Sequence, residues 1–241
     1  DYGKGKNWPF QLIQNLNADM FSGYMHDAKP LNGGSNNSDY NMQDGWNSAM
    51  WTHVYSYIFP QIYQSENATR DTHPALFGIT KILKVEVMHR VTDYYGPIIY
   101  RHFANAEKHY QPDTQKEVYY EFFNELDSAV VALIGYIEEK PESNGFARFD
   151  ILLDGKYSSW VKFANSLRLR LAMRLASIAP DKARLEIEKI KENDYGFFER
   201  GSEKVAVSTK SGYINPLGEL NLVWNETYMN CLLYTSDAAD D

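Results

Sequence analysis

Residues 156–176, read as KYSSWVKFANSLRLRLAMRLA, constrain the fold of this chain more than any other segment. Apolar side chains recur there at helical spacing and share one face: Trp160, Phe163, Ala164, Leu167, Leu171, Leu175 and, just beyond, Ile178. Further apolar side chains fall on the other side: Leu169, Ala172, Met173 and Ala176. The pattern therefore predicts a helix buried on more than one side, as in a stack of helical hairpins.

Similar helical patterns recur along the chain and are separated by short links. They cover residues 10–20, 46–64, 74–95, 115–139, 157–178 and 182–192. Pro74 suits a first helical turn, Gly96-Pro97 suits a helix end, and Thr114 with Glu117 has the spacing of a capping box. Strand signals are few. We therefore predict an all-α fold of tetratricopeptide-like stacked helical hairpins with long loops.

Composition excludes several classes of function. The formal net charge is −8, which argues against nucleic-acid binding, because that normally needs a basic surface. The one cysteine is Cys231, so the rest of the chain has no disulfide framework and no cysteine-ligated metal site. No apolar run approaches the ~18 residues needed to span a membrane. The six histidines lack metal-site spacing, and we predict no metal and no cofactor.

The end of the chain differs from the rest. Residues 231–240, CLLYTSDAAD, match the translation of a transposase sequencing adapter. We interpret residues 231–241 as a non-native adapter-derived tail and exclude them from the fold prediction. We accordingly expect residues 1–230 to be part of a single helical domain, an internal fragment truncated at both ends.

Several segments resemble one known family, in that family's order. The run 156–176 resembles the helix that marks the SusD/RagB family of nutrient-binding outer-membrane lipoproteins. Residues 21–24 (FSGY) with 32–36 (NGGSN) resemble its N-terminal loop. Residues 93–100 (DYYGPIIY) resemble its Gly-Pro turn after a long helix, and residues 110–119 resemble the approach to the next helix. The resemblance covers most of residues 8–200.

The resemblance implies a function and partners. It implies a cell-surface protein that binds a glycan or another nutrient and delivers it to a TonB-dependent, SusC-like transporter. It also implies an oligo- or polysaccharide ligand, no catalysis, and attachment to the outer membrane by a lipid on an N-terminal cysteine that lies outside this chain.

We place the candidate glycan site in the loop of residues 21–44 and the start of the next helix. Aromatic side chains there can stack on pyranose rings, and amide or carboxylate groups can hydrogen-bond sugar hydroxyls. The predicted contacts are Tyr24, Asn32, Asn36, Asn37, Asp39, Tyr40 and Trp46. In the alternative interpretation, the asparagines only serve turns and Trp46 belongs to the core.

Two other functions remain open from the residues alone. An all-α glycoside hydrolase needs a carboxylate pair whose separation the sequence does not give. A tetratricopeptide-type scaffold would bind peptides and no sugar. Arg168, Arg170 and Arg174 lie on a largely buried helix, so we expect ion pairs or hydrogen bonds there, with recognition of an acidic ligand as the alternative.

Overall fold

The computed structural model describes residues 7–105, 111–141, 143–199, 203, 205–207, 212–231, 233 and 235. Tyr110 of the family-like segment and most of the predicted adapter tail lie outside these residues. The described residues form two compact units. One unit comes from Asp1–Ser56 and Val207–Asp241, and the other from Tyr57–Ala206. We call them the loop unit and the helical unit. The single-domain boundaries 1–230 stay a prediction.

The helical unit consists of successive antiparallel helices. These are α4 (Phe59–Thr69), α5 (Pro74–Tyr95), α6 (Gln115–Glu139), α7 (Tyr157–Leu175) and α8 (Pro180–Lys189), followed by a 3₁₀ turn at Ile190–Glu192. Each helix packs on the next, and α5 also touches α7. The fold is all-α and tetratricopeptide-like, which confirms the predicted fold class.

Local signals set the helix bounds that the sequence predicts best. Pro74 opens α5, where its missing N–H costs nothing, and Gly96 at φ +78° ends it. At the start of α6, the Thr114 side chain accepts the Glu117 N–H, and the Glu117 carboxylate accepts the Thr114 N–H. This capping box satisfies amides that have no partner within the helix.

Close packing joins α5 to α6. A Cβ placed on Gly78 would lie 2.9 Å from the Ala129 carbonyl oxygen, so only glycine lets the helices approach this closely. The core side chains between the helices are almost fully buried: Ile82, Val85, Met88, Phe122, Leu126, Leu133 and Leu171. Each such burial contributes about 1.5–3 kcal/mol relative to an exposed side chain.

A buried ion cluster links α4, α5 and α6. Lys84 Nζ lies 2.6 Å from Glu125 Oε1 and 3.3 Å from Glu66 Oε2, and Lys81 Nζ lies 3.5 Å from Glu66 Oε1. The Tyr100 hydroxyl donates to Glu125. Burial opposes ionisation of Glu66, but Lys84 and Lys81 outweigh it and lower the pKa of this carboxyl.

Helix α7 carries a second charged network. Arg168 is buried and bonds to Glu186 on α8 and, at 2.5 Å, to Asp127 on α6. Arg174 pairs with Asp93 at 2.7 Å. The predicted buried ion pair is therefore present at Arg168; Arg174 forms its pair in an exposed position, and Arg170 is exposed.

The loop unit is less regular. It contains α1 (Trp8–Phe10), a π-helical segment (Gln11–Asp19), β1 (Met25–Asp27), 3₁₀ turns at Leu31–Gly34 and Asn37–Asp39, α2 (Asp44–Asn47), α3 (Ala49–His53), α9 (Pro216–Leu222) and β2 (Thr227–Met229). β1 and β2 pair antiparallel, with His26 opposite Tyr228. A further π-helical segment, Val54–Ile58, runs from the end of α3 to α4.

Four expectations differ from the structure. Helix α7 ends at Leu175, so Ile178 lies outside it and is 78% exposed. Met173 is 59% exposed and Ala176 is exposed, because the described helices cover a narrower part of α7 than predicted. The loop at 21–44 contains strand β1, and residues 46–64 form several short helical segments rather than one helix.

Candidate functional site

The predicted site loop is fixed to the loop unit by Asn37. This side chain is buried, and its amide nitrogen lies 2.8 Å from the Leu16 carbonyl oxygen and 3.0 Å from the side-chain oxygens of Asn17 and Asn47, which share its two N–H groups. Its oxygen accepts the Gln43 N–H at 3.1 Å. Asn37 therefore has little capacity left for a sugar, and its role is to hold the loop.

Asn36 also holds the loop. It is buried, its oxygen accepts the Ser38 N–H at 2.9 Å, and its amide donates to the Leu31 carbonyl at 3.1 Å. Direct sugar contacts from Asn36 and Asn37 stay a prediction, and the burial and hydrogen bonds of both side chains favour the alternative in which they serve the turn. Buried amides of this kind order a turn, as the alternative interpretation of the sequence expected.

The aromatic residues of the loop, unlike Asn36 and Asn37, are not buried. Tyr40 adopts φ +56° and is 73% exposed, and its ring centroid lies 5.8 Å from that of Phe21 at an interplanar angle of 31°. Tyr24 is 58% exposed, and its carbonyl accepts the Asn230 N–H beside the β1–β2 pair. Trp46 is half-buried in α2. Two of the three predicted aromatic residues thus present most of their surface to solvent.

Polar side chains flank Tyr40 in the sequence and hydrogen-bond to one another. The Asn32 amide donates to Gln43 Oε1 at 3.1 Å, and the amides of Asn41 and Gln43 donate to Ser35 Oγ at 2.8 and 3.3 Å. Asp39 is exposed. The sequence prediction included Asn32 and Asp39 but missed Ser35, Asn41 and Gln43. In the sequence, the only signal for these three residues is that they stand among other polar residues.

The loop can therefore bind by stacking and hydrogen bonding. It offers exposed phenol rings and a group of neutral amide and hydroxyl groups, which match the apolar and polar faces of a sugar. Among the described residues, no group of three or more His, Cys, Asp or Glu side chains could hold a metal ion. Within the same residues, no helix is long and apolar enough to cross a membrane.

The stacked helical hairpins place the chain in the class of helical, tetratricopeptide-like proteins. Sequence comparison identifies the family within this class. The SusD-like family model, described as "Susd and RagB outer membrane lipoprotein", matches residues 2–236. The chain therefore belongs to the SusD-like family, which confirms the resemblance. The match enters residues 231–241, whose interpretation as adapter stays a prediction. No curated protein matches the chain.

Solved structures agree with this family. A SusD homologue from Bacteroides vulgatus is 44% identical with a TM-score of 0.87, covering 95% of this chain and 46% of its own. A chitin-binding SusD homologue from Flavobacterium johnsoniae is 37% identical with a TM-score of 0.87, covering 93% and 46%. A SusD-like protein from Bacteroides thetaiotaomicron is 25% identical with a TM-score of 0.82, covering 95% and 46%. The chain spans about half the length of these relatives.

Proposed function

We propose that the protein binds a glycan or a related nutrient at the cell surface and carries out no chemistry on it. The observation that carries this proposal is the loop of residues 21–44 in a SusD-like chain. Exposed Tyr24 and Tyr40 supply stacking faces, and the polar groups around Asn32 and Gln43 supply hydrogen-bond donors and acceptors. Asp39 and the half-buried Trp46 stay candidate contacts.

The relatives suggest the first ligand to test. One structural relative is a chitin-binding SusD homologue at 37% identity, and another, at 26% identity, is a chitin-binding protein. We propose a neutral oligo- or polysaccharide as the ligand class. An N-acetylglucosamine oligosaccharide is the first probe, within a panel that includes glucose, mannose and xylose oligosaccharides.

We propose a place in the cell and a partner from the family. The family description names outer-membrane lipoproteins, which supports a surface-exposed location with a lipid anchor on an N-terminal cysteine. Delivery of the captured glycan to a TonB-dependent, SusC-like transporter is the corresponding proposal for the partner. Co-purification with a co-expressed SusC-like transporter tests it, and reproducible absence of the complex counts against it.

The binding proposal is tested by titration calorimetry of the full chain with the oligosaccharide panel. We expect Tyr24→Ala with Tyr40→Ala to weaken binding about tenfold or more, because each lost aromatic contact is worth about 0.5–1.5 kcal/mol. Met42→Ala removes an exposed side chain of the same loop without an aromatic face and should leave affinity unchanged.

Two results would contradict the proposal. Failure of every saccharide to bind the folded wild-type chain would favour the peptide-binding scaffold. Shorter products after incubation with a bound oligosaccharide, analysed by mass spectrometry, would favour the glycoside hydrolase.

A further inference from the structure

An open pocket of about 590 Å³ lies in the helical unit. The start of α5, the end of α6, the loop of residues 143–155 and the start of α7 form its walls. This volume is within the usual range for small-molecule sites. Four phenyl or phenol rings line it, from Tyr136, Phe146, Phe149 and Tyr157. The pocket is thus rich in aromatic surface.

Phe149 is the most exposed of these rings, although the loop that carries it is tightly held. Its side chain is 65% exposed. The next residue, Asp150, is buried, and its carboxylate accepts the N–H groups of Leu152, Leu153 and Gly155 at 3.0 Å and the Trp160 indole at 2.7 Å. These four hydrogen bonds order the backbone of the loop that carries Phe149 before any ligand arrives. The Arg148 guanidinium carbon lies 4.7 Å from the centroid of the Phe149 ring, so a ligand would stack on the face of the ring away from Arg148.

Other pocket groups are also fixed. The rings of Tyr136 and Tyr157 meet edge to face, with centroids 5.0 Å apart, and the Tyr136 hydroxyl lies 3.0 Å from Ser143 Oγ. Lys140 Nζ lies 5.3 Å from the Tyr136 ring centroid. The Tyr157 hydroxyl, like that of any tyrosine, is neutral at neutral pH and can donate a hydrogen bond, and burial raises its pKa further.

Glu139 and Lys140 are the acidic and basic residues that line the pocket, and the Arg148 guanidinium carbon lies 4.7 Å from the centroid of the Phe149 ring. Glu139 and Lys140 lie 3.7 Å apart, so one carboxylate faces one ammonium group. A strongly anionic or cationic ligand gains little net attraction from such a pair. The combination of aromatic faces, hydroxyl groups and the paired charges of Glu139 and Lys140 matches a neutral sugar ring, which has apolar C–H faces and a polar edge.

We propose that this pocket binds a pyranose ring of a neutral saccharide and is a second glycan site, on the helical unit, in addition to the loop of residues 21–44. Phe149 provides the stacking face, and His73 and Glu139 lie among the lining groups that can reach sugar hydroxyls. This inference rests on the proposed glycan-binding function.

The test is titration calorimetry of the full chain with the same oligosaccharide panel. We expect Phe149→Ala to weaken binding of the best ligand about three- to tenfold, or to remove one of two binding events. Phe149→Tyr keeps the ring and should bind as the wild type does. Tyr57→Ala, an equally exposed aromatic residue that does not line the pocket, is the matched control.

The variants separate this inference from the proposed function. Unchanged binding in a folded Phe149→Ala variant overturns the second site, and the loop proposal then stands on the Tyr24 and Tyr40 variants. Weaker binding in Phe149→Ala but not in those loop variants supports the pocket and removes the loop. No binding of any saccharide to the wild type overturns both.

Discussion

At the scale of the residue, buried asparagines decide the shape of the candidate site. Asparagine suits two roles in such a loop, since its side chain orders turns and also hydrogen-bonds sugars. Sequence alone does not distinguish the two roles at Asn32, Asn36 and Asn37. The structure separates them by burial, because Asn36 and Asn37 are covered while Asn32 is exposed.

We expect Asn37→Ala to lower the free energy of unfolding by about 2–4 kcal/mol, because it leaves several buried polar groups without partners. Asn41→Ala removes one exposed hydrogen bond from the same loop and should cost about 1 kcal/mol or less. Urea denaturation followed by circular dichroism measures both. Equal losses for the two variants would show that Asn37 does not hold the loop.

His89 gives the helical unit a dependence on pH. It is fully buried on α5, its Nδ1 lies 3.1 Å from the Val85 carbonyl, and its Nε2 has no hydrogen-bond partner among the described residues. Burial lowers its pKa, as do Arg170 and Arg90 nearby, against the opposing effects of the Val85 carbonyl and Asp93.

The pKa of His89 is therefore lower in the folded state than in the unfolded chain, where a histidine has a pKa of about 6.5. The contribution that neutral His89 makes to the free energy of unfolding is complete above that pH and is lost progressively as the pH falls below it. We expect His89→Gln to flatten the fall in melting temperature between pH 7.5 and 5, and the exposed His73→Gln not to. An unchanged pH profile in His89→Gln would contradict this assignment.

At the scale of the element, the reliable predictions are those with local causes. Residues 74–95 and 115–139 are predicted with the bounds that α5 and α6 have, because Pro74, Gly96 and the Thr114–Glu117 capping box are local signals. Strand β1 is missed because its partner β2 lies about two hundred residues away and no hairpin turn marks it. The exposure of Met173 is missed because periodicity does not show which faces of a helix have neighbours.

The close packing of α5 and α6 predicts opposite effects on stability for two glycine-to-alanine substitutions, at Gly78 and at Gly135. Gly78→Ala should destabilise the protein by about 1–3 kcal/mol, since the added methyl group would press on the Ala129 carbonyl. Gly135→Ala, on the exposed side of α6 with open space around it in the described part of the chain, should stabilise by about 0.5–1 kcal/mol through helix propensity. Thermal unfolding distinguishes them, and a stabilised Gly78→Ala variant would refute the packing argument.

At the scale of the whole molecule, the family and the fold are confirmed, whereas the glycan site stays a proposal. The all-α, tetratricopeptide-like class and the SusD-like family follow from extended patterns spread over the chain, and both are confirmed. Of the predicted contacts, Tyr24 and Tyr40 are well placed on the surface, while Asn36 and Asn37 are not. The pocket beside Phe149 is not evident from the sequence, because its rings come from three separate stretches of the chain.

The ion cluster of Glu66, Lys81, Lys84 and Glu125 has a consequence for how this family can diverge. Its two carboxylates and two ammonium groups come from three successive helices and compensate one another away from water. Lys84 pairs with both carboxylates, so its loss leaves Glu125 with only the more distant Lys81 at 3.8 Å; breaking a buried pair in this way typically costs about 3–5 kcal/mol. We therefore expect compensating paired replacements at these positions to be tolerated better than single ones, which would tie changes in α4, α5 and α6 to one another.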